Sequence, residues 1–299
     1  MTIWSRLQNV DSRLLYLLLA LVVAVPLVVS IPVGKAIVLP QSHAFYNTIE
    51  RIADDPAENK KLAVFSFNFS SSTSAENLTQ AETVMRHLMA KHLKFAIFAF
   101  SDPQGRELGD QLATKLAPEY GYQYGRDYVN WGYKTGDPAL NLKALVRDIP
   151  GTIGKDVNGT ALADIPAMKG IRTVEDVSMV VEVTSVSSLE YWIGYFTAAG
   201  ETRVPLVYGC TAVMAPEAFP YLKSGQISGL LVGLKGAGEY ESLVKDAGYA
   251  KDTGFASRAS ASLSLAHFLI LFLIVMGNIA MFMSRRQGAA APRSVGGAR

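Results

Sequence analysis

Few residues in this chain have types and spacings that could do chemistry. Cys210, the one cysteine, stands in YGCTAV (208–213) just after an apolar run, where a nucleophile could sit. A reactive thiolate needs a base or a positive neighbourhood. Outside the terminal apolar runs the histidines are His43, His87 and His92, and spacing suggests no acidic partner for the last two. A buried structural cysteine is the favoured reading. No H-x-x-x-H or H-E-x-x-H pattern occurs, and a single cysteine excludes both a multi-cysteine metal site and an intramolecular disulfide framework. No metal or cofactor is therefore expected. The Asp54–Asp55 pair precedes a proline and reads as ordinary turn chemistry in a polar linker.

The stretch GLLVGLKGAGEYESLV (229–244) has the layout of a strand, a glycine-rich turn and a helix. Gly233, Gly236 and Gly238 are spaced G-x-x-G-x-G, which is neither the dinucleotide order G-x-G-x-x-G nor a P-loop. A tight turn is the favoured reading and a phosphate cradle the alternative. Three N-x-S/T sequons, at Asn68, Asn77 and Asn158, would matter only on a eukaryotic secretory route.

The elements that must position such residues alternate along residues 34–260. Strands are expected at 62–69, 95–100, 128–133, 177–183, 205–208 and 230–234. Helices are expected at 75–92, 104–117, 138–149, 188–199, 216–224 and 239–247. Ala81, Val84, Met85, Leu88 and Met89 make one apolar stripe at i, i+3, i+4, i+7 and i+8. Repeated βα units predict an α/β class, a Rossmann-like, doubly wound, mostly parallel sheet. Two lobes split near residue 151 are the alternative. Residues 151–173 break the pattern as a long excursion, the kind of loop that is functional, partner-binding or mobile.

In such a sheet ligands bind beyond the carboxyl ends of the strands, at the point where strand order reverses. Ser101, Thr184, Thr211 and Gly236 are the ligand-binding candidates on this ground. Helix capping alone accounts for the neighbouring Ser74, Asp137 and Ser187 or Ser188, and is the favoured reading. The aromatic runs DYVNWGYK (127–134) and EYWIGYF (190–196) make Trp131, Tyr133, Trp192 and Tyr195 candidates for either the core or an interface.

Both ends are apolar. Residues 14–33 and 261–283 are uncharged runs of about 20 residues, enough at 1.5 Å per residue to cross roughly 30 Å of hydrocarbon. One transmembrane helix is expected at each end, with a cleaved signal peptide the alternative for the first. Arg6 and Arg13 before the first run, and Arg285, Arg286, Arg293 and Arg299 after the second, place the tails 1–13 and 284–299 in the cytoplasm and the 34–260 domain outside. Lys35, Lys251 and Arg258 weaken that bias without reversing it. The last tail is expected to be disordered. His267 and Asn278 are costly in lipid, and Asn278 hints at helix association. A net charge of +2 with no basic patch gives no indication of nucleic-acid binding.

The segments D-Y-V-N-x-G-Y-K (127–134), G-C-T-A-V (209–213), P-Y-L-x-S-G-Q (220–226) and G-L-x-x-G-L-K-G-A-x-E-Y-E (229–241) resemble a family of uncharacterised bacterial membrane proteins. The resemblance covers most of the chain, both anchors included. It implies a bacterial inner-membrane location and transfers no activity and no catalytic residue. The expected role is a non-catalytic scaffold or accessory subunit, partnered by the lipid bilayer and by a second copy or another integral membrane protein. The alternative is a small-molecule sensor using the strand-end loops. An enzyme ranks third, because it would need an acid or base beside Cys210.

Overall fold

The computed structural model describes residues 10–29, 37–201, 203–250 and 255–289. Arg6, Lys35, Lys251, Arg293, Arg299 and residues 30–33 of the first apolar run lie outside the described residues. The chain divides into two compact units, residues 34–257 and a second made of residues 1–33 with 258–299.

The larger unit is built on a six-stranded, all-parallel sheet: β1 (Leu62–Asn68), β2 (Phe95–Ala99), β3 (Tyr128–Tyr133), β4 (Val177–Thr184), β5 (Leu206–Cys210) and β6 (Gly229–Val232), in the order β3-β2-β1-β4-β5-β6. Strand order reverses between β1 and β4, which is the Rossmann-like arrangement. β1, β2, β4 and β5 are buried along their whole length because both faces are covered.

One face carries Phe65, Phe67, Ile97, Val181 and Val207 beneath α2 (Pro40–Asp54), α3 (Asn77–Ala90), α4 (Gln104–Tyr120) and α9 (Gly233–Asp246). The other carries Val64, Phe98, Val180 and Leu206 beneath α5 (Pro138–Arg147), α6 (Ile149–Ile153), α7 (Leu189–Trp192) and α8 (Ala215–Lys223). A π-helical turn, Ile193–Thr197, continues α7.

Three local outcomes differ from the sequence expectation. Helix α2, which the sequence reading does not expect, runs up to the polar linker at Asp54–Asp55, because Phe45, Ile49 and Ile52 fall on one face at i, i+4 and i+7 and pack into the core. Asp54 ends that helix. The excursion over 151–173 is not a free loop: Leu162, Ile165, Met168 and Ile171 are buried and cover the second sheet face through short 3-10 turns. Helix α9 begins at Gly233 rather than near Glu239, so the glycines lie inside its first turns.

In the smaller unit, α1 (Ser12–Val28) has 17 residues and ends at Val29 in extended backbone. At 1.5 Å per residue it spans about 25 Å, less than the hydrocarbon core. Among the described residues one helix, not one at each end, is long and apolar enough to cross a membrane: Phe255–Ser284 within α10 (Phe255–Ala289). The Ser262 hydroxyl donates to the Val23 carbonyl at 2.8 Å and joins α10 to α1. His267 and Asn278 are exposed on α10.

Candidate functional site

A fully buried carboxylate lies directly beneath the reversal point. Glu182 stands in β4 opposite Ser66 of β1 and Tyr208 of β5. Its Oε1 accepts from Asn68 Nδ2 at 2.9 Å and from the Ser188 hydroxyl, and its Oε2 accepts from Trp192 Nε1 at 2.9 Å. Burial pushes its pKa up to about 7, against the opposing pull of hydrogen bonds from Ser188, Ser66, Asn68 and Trp192. Asn68 completes the arrangement: its Oδ1 accepts the backbone N–H groups of Phe100 and Ser101 at 3.0 and 2.9 Å. Those strand-end amides, which a ligand in this crevice would use, are thus held by the chain's own side chain.

The neighbouring strand ends are closed in the same manner. Asn77 Nδ2 donates to the Thr184 carbonyl at 2.9 Å, and Gln80 Nε2 donates to the Cys210 and Gly233 carbonyls, both at 2.9 Å. These bonds fasten α3 across the ends of β4, β5 and β6. Glu76, at the N-cap of α3, accepts the Ala212 N–H at 2.8 Å. A helix N-terminus in this position favours anions, but here it already holds a carboxylate that would repel a phosphate. What stays exposed above the crevice is a rim of hydroxyls, with Ser71, Ser72 and Ser187 at the surface and Ser70, Thr73, Ser74 and Ser185 half-buried.

A second ionisable cluster lies on the opposite face of the sheet. His87 of α3 is fully buried, with Nε2 2.9 Å from Glu50 Oε1 and Nδ1 2.7 Å from Tyr240 Oη. The rings of Tyr46 and Tyr249 stack on it at centroid distances of 4.5 and 5.3 Å. Burial pulls the imidazole down to about 4 despite the Glu50 carboxylate, so it is neutral at pH 7. A carboxylate only accepts, so Nε2 carries the proton and Nδ1 accepts from Tyr240. Burial raises the Glu50 pKa, but hydrogen bonds from Lys91, Tyr46 and His87 outweigh it and hold that carboxyl down to about 2. Lys91 bonds both Glu50 and Asp54 at 3.0 Å and connects the cluster to solvent.

The expected ligand residues do not converge on a pocket. Thr184 is fully buried and accepts the Val186 N–H at 3.0 Å, while Ser101 is half-buried with its N–H on Asn68. Thr211 is buried ahead of the turn Ala212–Met214. Gly236 is packed inside α9, where a Cβ would lie 3.0 Å from the Leu231 carbonyl carbon. Close seating of the helix on β6 therefore explains its lack of a side chain. Gly233 has φ of +57°, and a Cβ there would lie 2.9 Å from Glu76 Oε2 and 3.0 Å from Ala212 Cβ. Of the three glycines only Gly233 makes the turn; Gly236 and Gly238 lie inside α9.

Cys210 is fully buried, and burial pushes its thiol up to about 12. Among the interface candidates, Trp131 and Trp192 are packed within the core, Trp192 completely. They present no docking surface because Phe98 and Phe100 edges and the Glu182 carboxylate surround the Trp192 indole. Tyr133 and Tyr195 are half-buried, the latter beneath the Lys143 ammonium at 4.7 Å. Of the sequons, Asn68 and Asn77 are fully buried and Asn158 is exposed.

Glu182 carries a signal the sequence reading passed over, a lone acid inside VSMVVEV, which burial makes costly unless donors surround it. The Glu50–His87–Tyr240 group has no such signal, because its members are separated by 37 and 153 positions.

Fold and site together define a Rossmann-like α/β protein with a filled strand-end crevice and, among the described residues, one candidate membrane helix. No family model, no curated protein and no solved structure matches the chain.

Proposed function

We propose that the protein is a non-catalytic, membrane-tethered scaffold or accessory subunit of the bacterial inner membrane. Its α/β domain lies outside the cytoplasm with both tails inside, and it assembles with a second copy or with another integral membrane protein. The observation that carries this reading is the filled crevice. The strand-end amides are bonded to Asn68 and Glu76, and Glu182 is enclosed by its own donors. The exposed Asn278 amide, in the last third of the uncharged run 261–283, supplies a polar group for association within the bilayer.

The test is the mass of the protein purified from membranes in mild detergent, with co-purifying proteins identified. A defined oligomer or a stable complex is expected, and Asn278→Leu should weaken it if α10 carries the association. A monodisperse monomer without companions would overturn the reading.

The serine-rich rim favours a second reading, a sensor of a small hydroxylated ligand. That reading requires a ligand-dependent rise in melting temperature that is lost in Ser71→Ala/Ser187→Ala.

A further inference from the structure

One edge of the sheet is β3. On the side away from β2, the Tyr128 carbonyl accepts the Gly125 N–H at 2.7 Å and the Asn130 carbonyl accepts the Val157 N–H at 3.1 Å. The Gly132 N–H donates to Asn130 Oδ1 at 2.9 Å. Uncovered, these groups would be a template for a strand of a second chain. Val157 is thus one of the closures of the edge, and it also lies over Gly132, where a Cβ would come within 3.3 Å of Val157 Cγ1.

Val157 is held in place by a turn that pivots on Asp156. The Asp156 N–H donates to the Thr160 carbonyl at 2.9 Å, and the Asp156 carbonyl accepts the Gly159 N–H at 3.0 Å. The buried Asp156 side chain accepts the N–H groups of Asn158 and Thr160 on Oδ1, at 3.0 and 2.8 Å, and the Tyr124 hydroxyl on Oδ2 at 2.7 Å. At the tip stands Asn158-Gly159, the one Asn-Gly pair in the chain. Both residues are exposed, and the Asn158 side-chain amide has no partner among the described residues. Gly159 has φ of +82° and nothing within 4 Å of where a Cβ would be, so no side chain shields its nitrogen. Elsewhere Asn68, Asn77 and Asn130 are buried, and Asn59 and Asn141 give their amides to carbonyls.

We infer that Asn158 is a self-modifying site whose isoaspartyl product loosens the turn covering the β3 edge. The Gly159 nitrogen loses its proton to solvent and attacks Asn158 Cγ; the N–Cγ bond forms, the Cγ–Nδ2 bond breaks, and the amide leaves as ammonia with a proton from water. Water then opens the five-membered imide at either carbonyl. The net change is an amide and water becoming a carboxylate and ammonium, with no oxidant or reductant. Opening at the main-chain carbonyl routes the backbone through Cβ and Cγ and lengthens it by one C–C bond, about 1.5 Å. The N–H groups of Gly159 and Thr160 are then carried off Asp156, because bonds of 2.8 to 3.0 Å do not survive a displacement of that size. Val157 thereby loses the turn that holds it against Asn130.

The test ages the full chain in mild detergent at mildly alkaline pH beside a free peptide of residues 155–161, and follows both by peptide mass mapping with separation of the isoaspartyl form. Residue 158 should convert from amide to acid in both, about five- to tenfold more slowly in the protein, because one N–H bond to Asp156 must open first. Asn158→Gln should stay unconverted over the same time. In the aged protein, hydrogen exchange at the Val157, Gly159 and Thr160 amides should rise about five- to tenfold. Asn158→Asp adds the charge without lengthening the chain and should keep wild-type protection there. A protein that retains its amide while the peptide loses it would show that the turn forbids attack, and the assignment would fail. Conversion with unchanged exchange at Val157 would overturn the link to the β3 edge. Equal loss of protection in unaged Asn158→Asp would trace the loosening to charge and overturn the isoaspartyl mechanism.

Discussion

Glu182 and His87 sit on opposite faces of one sheet, both fully buried and both surrounded by hydrogen-bond partners. Burial disfavours the charged form of each, which raises the acid to about 7 and lowers the base to about 4. The surroundings differ in one respect. Around Glu182 the bonded groups are neutral donors from Asn68, Ser188 and Trp192, whereas His87 touches a carboxylate that Lys91 ties to the exposed Asp54. The first cluster is sealed and the second has an outlet to water. Because one group is an acid and the other a base, their effects on stability should oppose each other.

The signs follow from proton linkage. Between pH 4.5 and about 7 folded Glu182 holds a proton that the unfolded chain has released, so its contribution falls as pH rises. Between about 4 and 6.5 folded His87 lacks a proton that the unfolded chain holds, so its contribution falls as pH drops. Each slope approaches roughly 1.4 kcal/mol per pH unit, and across 4.5–6.5 the two cancel. Wild-type stability should show little slope from this pair in that window.

The largest effect should come from breaking the sealed cluster. Glu182→Ala leaves the Trp192 N–H, the Ser188 hydroxyl and the Asn68 amide short of an acceptor inside the core, a loss of roughly 3–5 kcal/mol by urea denaturation. An unchanged midpoint would mean that water replaces the carboxylate. Glu182→Gln keeps the shape and removes the titration, so the uncompensated His87 slope should appear as stability that rises with pH between 4.5 and 6.5. His87→Phe keeps ring stacking between Tyr46 and Tyr249 but strands the Tyr240 hydroxyl, for a loss of about 2 kcal/mol at pH 7. In that variant the remaining Glu182 slope should make stability fall with pH over the same window. Mirror-image slopes would sharpen the comparison, and like slopes would break it.

Gly233→Ala serves as a control that touches neither cluster. It places a Cβ at φ of +57° against Glu76 and Ala212, beside the carbonyl that Gln80 bonds, and should cost about 1–2 kcal/mol. Because Glu182 and His87 keep their partners, its stability curve should lie below that of the wild type with the same slope from this pair.

The same contrast explains how much could be read from the residue order. Each strand and most helices follow local periodicity, so β3 falls where its pattern puts it and the α3 stripe of Ala81, Val84, Met85, Leu88 and Met89 is buried as spaced. Helix α2 is not legible in the residue order because its few apolar positions stand among polar ones and declare themselves only once β6 is beside them. Helix α9 begins early because a parallel strand can turn directly into a helix when its glycines allow close packing on β6, which G-x-x-G-x-G does not announce. The site itself was half legible. Strand ends locate the crevice, and Thr184 and Ser101 do lie around it, but whether a crevice is open or filled depends on side chains such as Asn68 and Glu76 reaching across strands. Tertiary pairing also decides the His87 group, whose acid comes from a helix 37 positions away.

The smallest expected effect separates a structural hydrogen bond from a pKa-setting one. Tyr240 Oη donates to Nδ1 of neutral His87, and the same oxygen could accept a proton from Nδ1 if the ring were charged. A hydroxyl that serves both forms stabilises both, so removing it should shift the balance between them little. Tyr240→Phe should therefore cost about 1 kcal/mol at pH 7 while the His87 titration followed by NMR stays depressed near 4, because burial rather than the phenol sets it. A return of the imidazole towards 6.5 in that variant would show that the tyrosine keeps water out of the cluster. The outlet through Glu50 and Lys91 would then be open to solvent, and the opposition between the two faces would rest on one hydroxyl instead of on the packing around His87.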